Sequence, residues 1–252
     1  MELILSNMTT AFFNLVVFSS IPLLWWMVKQ RKQKDIGFFR FVGIVKPHFH
    51  CNWWGLLVFA ALYFLCYSGL LSQLFSSGGG TEITSSDAMA DSVYVGIGVA
   101  AIVPSIIENF IANGFCEELF FRGFLQKRFA AKWGYLVGLI LQAILFGLMH
   151  NVMYLIVGMP VEMSEHLFIF VGMTAVGFMF GWLNERIFCG SIFPSILLHG
   201  FGNFKSSITV AFGKDDLFGV YLAYAVLVFG GIGALVLANK QKQQNKIRKD
   251  TE

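Results

Sequence analysis

The chain is short of charge. Aspartate, glutamate, lysine and arginine make up 13% of its 252 residues, where an ordinary soluble protein carries about 25%. With 56% hydrophobic and 16% aromatic residues, that shortage argues against a soluble globular domain and for an integral membrane protein. The net charge of +3 is small, and its basic residues gather at loops and the C-terminus. This sets a nucleic-acid partner aside and makes the juxtamembrane Lys and Arg determinants of topology. Cysteine is sparse as well. Cys51, Cys66, Cys116 and Cys189 form no Cys-x-x-Cys pair, so the spacing of a zinc cage or a dithiol redox centre is missing. Cys116 adjoins an acid and has nothing local to activate its thiol. No His-Glu-x-x-His occurs, nor Gly-x-Gly-Asp, which excludes site-2-type zinc proteases and aspartyl intramembrane proteases on motif grounds. There is no internal repeat with broken helices in two matching halves, the pattern of a secondary transporter.

What the chain does have is a series of long apolar runs. A membrane-spanning helix needs about 20 mostly apolar residues, and the pattern predicts an all-α, polytopic membrane protein of about eight such helices. They fall at 11–28, 53–73, 93–112, 115–131, 135–157, 167–184, 190–212 and 218–238. Residues 1–92 read as N-terminal helices and loops, 93–212 as a helical core, and 213–252 as a last helix with a basic tail. The connections Lys29 to Asn52 and Ser76 to Ser92 are too short and too poor in core-forming residues to fold alone. Charge follows the first apolar run (Lys29, Arg31, Lys32, Lys34) instead of preceding it, so this run reads as a retained span and not a secretory signal.

Alternation of eight helices creates a conflict. It places Lys127, Arg128, Lys132, Arg186 and the tail (Lys240, Lys242, Lys246, Arg248, Lys249) on one side, the expected cytoplasmic side. The same alternation sends the basic 29–52 connection outside and the 76–92 connection, which lacks Lys and Arg, inside. Both placements break the positive-inside rule. The eight-helix reading also requires a tight turn at Asn113-Gly114; a rival reading makes the Glu117 helix a re-entrant or interfacial segment on the cytoplasmic side, with seven spans and an external N-terminus.

Ionised groups stand inside the apolar core. Glu117, Glu118 and Arg122 lie within Phe115 to Phe129, where each charge costs roughly 2.5–3.5 kcal/mol to insert at mid-membrane. In a helix Glu118 and Arg122 are at i and i+4, acid first, the favourable order for an ion pair. Glu117 points about 100° away and has no local cation. One acid is thus neutralised as structure, and the other is free for chemistry. His150 interrupts a second apolar helix, and His199 and Asn203 share a face of a third. At about 1.5 Å of rise per residue, Glu117 lies ~15 Å from Lys127, His150 ~22 Å from Tyr135, His199 ~14 Å from Gly190, and Asn203 ~20 Å from it. All four fall near mid-membrane. A carboxylate, two imidazoles and a carboxamide at one depth are parts for hydrolysis: Glu117 to move a proton between water and a leaving amine, the others to bind a water-activating metal or to hold an oxyanion. Ser195, four residues before His199, offers a Ser–His pairing but lacks a Gly-x-Ser-Gly setting.

Glu117-Glu118-x-x-x-Arg122, Phe146-x-x-x-His150 and His199-x-x-x-Asn203, in that order on successive membrane helices, resemble the CAAX protease and bacteriocin-processing (CPBP or Abi) family of intramembrane proteases. That family includes the type II CAAX prenyl endopeptidase. The resemblance covers about residues 100–210, and Gly190-Ser-Ile-Phe-Pro194-Ser-Ile-Leu-Leu-His199 matches the usual surroundings of the third motif. It implies an eight-helix membrane fold with the site inside the bundle. It implies Glu117 as the water-activating acid, His150, His199 and Asn203 as its partners, and Glu118 with Arg122 as support. A membrane-associated peptide or protein, with or without a lipid, would be the substrate. A zinc ion on His150 and His199 is an option that the resemblance leaves open. The expected location is the cell membrane, multi-pass, with a cytoplasmic C-terminal tail. Bacteriocin immunity is among the roles of bacterial members, and a non-catalytic immunity or adaptor protein on the same fold is the main alternative, with a small transporter.

Overall fold

The computed structural model describes residues 2–30, 36–49, 53–67, 98–157 and 163–212. Among these the regular structure is entirely helical. The loop expected at 76–92, the helix expected at 218–238 and the basic tail lie outside the described residues. In chain order the elements are α1 (Glu2–Trp25), a single turn α2 (Phe38–Phe41), α3 (Trp53–Tyr67), a continuous helical run over 98–133 that we call α4, α5 (Tyr135–Val157), α6 (Met163–Trp182) and α7 (Phe193–Phe212). Among the described residues, three stretches are long and apolar enough to cross a bilayer: Leu3–Lys29, Tyr135–Ile156 and Glu165–Ile187. Their outward faces carry Leu5, Phe12, Phe13, Leu155, Leu167 and Val171 exposed. An apolar helix with so much hydrophobic surface left uncovered is suited to lipid and not to water.

The helices expected at 93–112 and 115–131 are one. The chain runs through Ile107–Phe115, Cys116–Glu118 and Leu119–Gln126 in unbroken helical geometry, so the tight turn expected at Asn113-Gly114 does not form. Gly114 serves another purpose. A Cβ on it would stand 2.9 Å from Asn109 O, 3.1 Å from Ile196 O and 3.3 Å from Gly200 N, all of them backbone atoms. Glycine there lets α7 press against α4. The real turn comes at Gly134, whose φ of +90° favours glycine. On either side of it Gly134 N–H donates to Ala130 O and Gly138 N–H to Gly134 O. On both flanks of Cys116–Glu118 the helix widens to π-type spacing, a local form often associated with functional sites.

This continuity changes which ends share a side. Helix α1 runs in the same direction as α4: Asn7 donates to Pro104 O (3.0 Å) and Asn14 to Ala112 O (3.1 Å), while Phe18 meets Phe120 and Trp25 meets Phe124. At the far end, residues 36–49 return across the bundle. Ile192 N–H donates to Gly43 O (3.0 Å), and the Ser191 hydroxyl to Val45 O (2.7 Å). Lys127 Nζ is 2.8 Å from both Glu185 Oε1 and Gly190 O. Lys29, Arg40, Lys46, Lys127, Arg128, Lys132 and Arg186 therefore gather at one end of the bundle, around residues 25–49, 127–134 and 185–192. The eight-helix alternation had divided them between two sides. Merging two expected helices into one removes a crossing, and with it the charge conflict.

Aromatic packing surrounds the polar residues of the core. Phe59, Tyr63, Phe121, Phe146, Phe180 and Leu198 belong to one buried cluster, and Phe41, Val42, Leu119, Phe124, Ile192 and Ile196 to a second nearer the basic end.

Candidate active site

Five of the six residues singled out in the sequence come together where α4, α5 and α7 meet. Glu118 is at the centre. Its Oε1 lies 3.0 Å from an Arg122 guanidinium nitrogen and 3.0 Å from His199 Nδ1, and the side chains of Glu118 and Arg122 are fully buried. The pairing with Arg122 expected from the i,i+4 spacing is present, but Glu118 does more than neutralise a charge. It also holds an imidazole contributed by a helix 81 residues further along the chain.

Arg122 is held from its other side by π faces. Its guanidinium carbon stands 4.0 Å from the centre of the Phe146 ring and 5.6 Å from that of Phe180. The same two rings flank His199, at 6.1 Å and 5.8 Å between centroids. In so apolar a setting a cation over an aromatic face contributes up to about 2 kcal/mol. Arg122, Glu118 and His199 thus form one linked unit.

Because the Nδ1–H of His199 donates to Glu118, its Nε2 is free to face the site. There it stands 3.9 Å from Glu117 Oε2. Glu117 is the less enclosed acid, with 14% of its side chain accessible against none for Glu118, and its Oε2 has no hydrogen-bond partner among the described residues. A gap of 3.9 Å is too long for a direct hydrogen bond. It is the span of one water bonded to both groups at about 2.8 Å.

His150, on α5, donates from Nδ1 to Phe146 O at 2.9 Å and packs edge-on to the Phe146 ring. The same Phe146 ring borders His199, and Glu117 and His199 both act electrostatically on the His150 imidazole. Asn203 follows one helical turn after His199 on α7, partly exposed, and its carboxamide makes no hydrogen bond with the described residues. It is the one candidate that the geometry does not tie to the others.

Both imidazoles have Nδ1 bonded, an arrangement shared with many metal-ligating histidines. Among the described residues, however, no three His, Cys, Asp or Glu side chains are grouped closely enough to hold a metal ion. The expected pair His150 and His199 does not by itself make a metal centre.

Three contributors carry little or no signal in the sequence. Phe146 and Phe180 enclose Arg122 and His199, and only Phe146 had a signal, its position four residues before His150. Tyr63, on α3, donates its hydroxyl to Leu198 O at 2.6 Å and so anchors the turn that carries His199. A lone tyrosine in an apolar helix gives no such hint. The Ser195–His199 pairing does not form. Ser195 Oγ is engaged with Ile192 O (2.9 Å) and Asn184 Nδ2 (2.7 Å).

Residues 99–205 match the family model described as Type II CAAX prenyl endopeptidase Rce1-like. All six residues from Glu117 to Asn203 fall within the matched segment, and the match supports membership of the CAAX protease and bacteriocin-processing family. No curated protein and no solved structure matches the chain.

Proposed function

We propose, from the protease family that residues 99–205 support, that this protein is an intramembrane endopeptidase acting on a membrane-associated, lipidated peptide or protein. The observation that carries the reading is the approach of Glu117 Oε2 to His199 Nε2, 3.9 Å, with His199 clamped from behind by Glu118. A water between the two gives its proton to the Glu117 carboxylate as its oxygen attacks the scissile carbonyl. His199 Nε2 accepts a hydrogen bond from the same water and aims it, and the negative charge that develops on the carbonyl oxygen is met by the Asn203 carboxamide. The C–N bond then breaks, and Glu117 passes its proton to the departing amine. General acid–base transfer of this kind contributes about 10²–10⁴-fold. We assign His150, which interacts electrostatically with Glu117, the task of orienting that carboxylate.

The prenyl group in the family's description supplies the substrate chemistry we favour: a peptide ending in a lipid-bearing cysteine and a few further residues. A bundle with apolar outward faces is suited to receive such a chain. For orientation, the end that gathers Lys29, Arg40, Lys46, Lys127, Arg128, Lys132 and Arg186 faces the cytoplasm, which puts the N-terminus outside. With the helix that the sequence pattern predicts at 218–238, the basic tail would lie on the cytoplasmic side.

The test compares new protein termini in membranes of cells making wild-type protein or Glu117→Gln at matched levels, followed by cleavage of an internally quenched peptide with a prenylated cysteine by the purified protein. Termini and cleavage present only with Glu117 are expected. Turnover by a verified Glu117→Gln preparation would refute the assignment of the base, and identical profiles would favour an adaptor or transporter. Stripping the purified protein with a chelator is expected to leave cleavage intact; loss restored by zinc would bring a metal into the reaction.

A further inference from the structure

The basic end of the bundle is poor in acids. Among the described residues Glu185 is its single carboxylate, and Lys127 Nζ holds it at 2.8 Å. The other cations are seated on rings. Arg128 lays its guanidinium over Phe41, 4.1 Å from the ring centre, and Phe41 is itself buried against Phe124. Lys132, one turn further along the same face of α4, sets its ammonium 4.6 Å from the centre of the Trp133 ring. Arg40 stands exposed beside Phe41 on α2. Close backbone contact fixes the two segments together, since a Cβ on Gly123 of α4 would meet Val42 O at 2.5 Å. Packing therefore brings Arg40, Arg128 and Lys132 to one corner from positions far apart in the chain.

Three positive charges at one corner call for a counter-charge. The C-terminal end of α4 supplies about half of one. Arg128 is half-buried, and its Nε is enclosed with no hydrogen-bond partner among the described residues, so water serves this guanidinium poorly. Its planar fork of N–H groups matches the oxygens of a phosphate. The surroundings say what carries that phosphate. Phe39, next to Arg40, is 65% exposed and Trp133, next to Lys132, is 49% exposed; aromatic rings so placed beside cations suit the headgroup layer of a bilayer. Immediately beyond Trp133 the first turn of α5 exposes Leu136 and Val137. Charge and uncovered apolar surface thus adjoin, and an amphiphile covers both where a free anion covers one.

We propose that Arg40 on α2 with Arg128 and Lys132 on α4 forms a binding site for the headgroup phosphate of an anionic phospholipid, whose acyl chains lie along the exposed start of α5. The lipid then joins α2 to the end of α4. This site does not depend on the peptidase reading and is measured without a peptide substrate.

The test uses full-length protein incubated with equal amounts of phosphatidylglycerol and phosphatidylcholine, with the lipid kept by the protein identified by native mass spectrometry. Wild type is expected to keep phosphatidylglycerol in preference. Arg128→Gln and Lys132→Gln are each expected to weaken that preference about fivefold, the effect of one cation at an anionic surface. Lys132 is exposed, so its variant serves if Arg128→Gln does not fold. Lys46→Gln removes the same charge from a stretch held instead to the α6–α7 turn, by Val45 on Ser191 and Phe49 on Phe188; it is expected to match wild type. Equal retention of the two lipids by wild type overturns the proposal. So does an equal loss in Lys46→Gln, because diffuse charge and not a site would then be responsible. In a second arm, phosphatidylglycerol is expected to raise the unfolding midpoint in nanodiscs, and inorganic phosphate added to phosphatidylcholine nanodiscs at matched ionic strength is not. An equal rise with inorganic phosphate overturns the assignment to a lipid.

Discussion

Arg122→Met removes a charge from the least accessible part of the molecule while keeping the length and apolar character of the side chain. In the native structure the guanidinium lies 3.0 Å from Glu118 Oε1 and 4.0 Å from the centre of the Phe146 ring, with both ionised side chains fully buried. Taking away one member of a buried pair costs about 3–5 kcal/mol, chiefly because the other charge stays behind in low dielectric. The lost contact with Phe146 adds little, since a methionine sulfur packs on an aromatic ring for about 0.3–1.5 kcal/mol. At roughly 2–4 °C per kcal/mol for a chain of this size, the unfolding midpoint should fall by about 6–20 °C. The assay is thermal unfolding in nanodiscs, read as the fraction that still elutes at native size after heating. The double variant Glu118→Leu/Arg122→Met removes both charges and should regain most of the lost midpoint, because apolar replacement of a buried pair is often neutral. It should nevertheless stay inactive, since His199 has lost its clamp. A single variant within about 2 °C of wild type, or a double variant less stable than the single one, would refute the reasoning that the pair is a coupled buried unit.

Two further predictions concern the continuous α4 helix. Gly114→Ala sets a methyl group 2.9–3.3 Å from backbone atoms of α4 and α7; none of these is a flexible side-chain tip. Overpacking of this kind costs about 1–3 kcal/mol, and an unchanged unfolding midpoint would contradict the close approach of the two helices. The second prediction is sidedness. In a cysteine-free background, Arg40→Cys and Lys132→Cys are expected to react with a membrane-impermeant maleimide from the same face of sealed, oriented vesicles. Labelling from opposite faces would restore the tight turn at Asn113-Gly114 and the eight-helix alternation.

Several features are legible in the residues alone. Membrane residence follows from the scarcity of charge and the length of the apolar runs, because lipid imposes those properties on every residue of a span. The Glu118–Arg122 pair follows from i,i+4 spacing, which is local geometry. The approach of Glu117 and His199 is foreshadowed by their similar depths, since helices crossing one bilayer share a common ruler. The turn expected at Asn113-Gly114 is the main disagreement. Glycine permits a reversal and a close helix contact equally, and only the atoms of Ile196 and Gly200 beside it tell the two uses apart.

The residues themselves pointed to a helical chain in a membrane, with Glu117, His150, His199 and Asn203 expected at a common depth. Each of these follows from composition or from periodicity along a single helix. The tertiary structure decided which residue faces which. It showed that Glu118 binds His199 as well as Arg122, that Phe146 and Phe180 enclose both partners, that Ser195 bonds Asn184 and Ile192 and not His199, and that residues 36–49 return to the end of the bundle where the other basic groups lie. Such contacts join segments dozens of residues apart. They depend on the relative rotation and direction of packed helices, which no local pattern along the chain encodes.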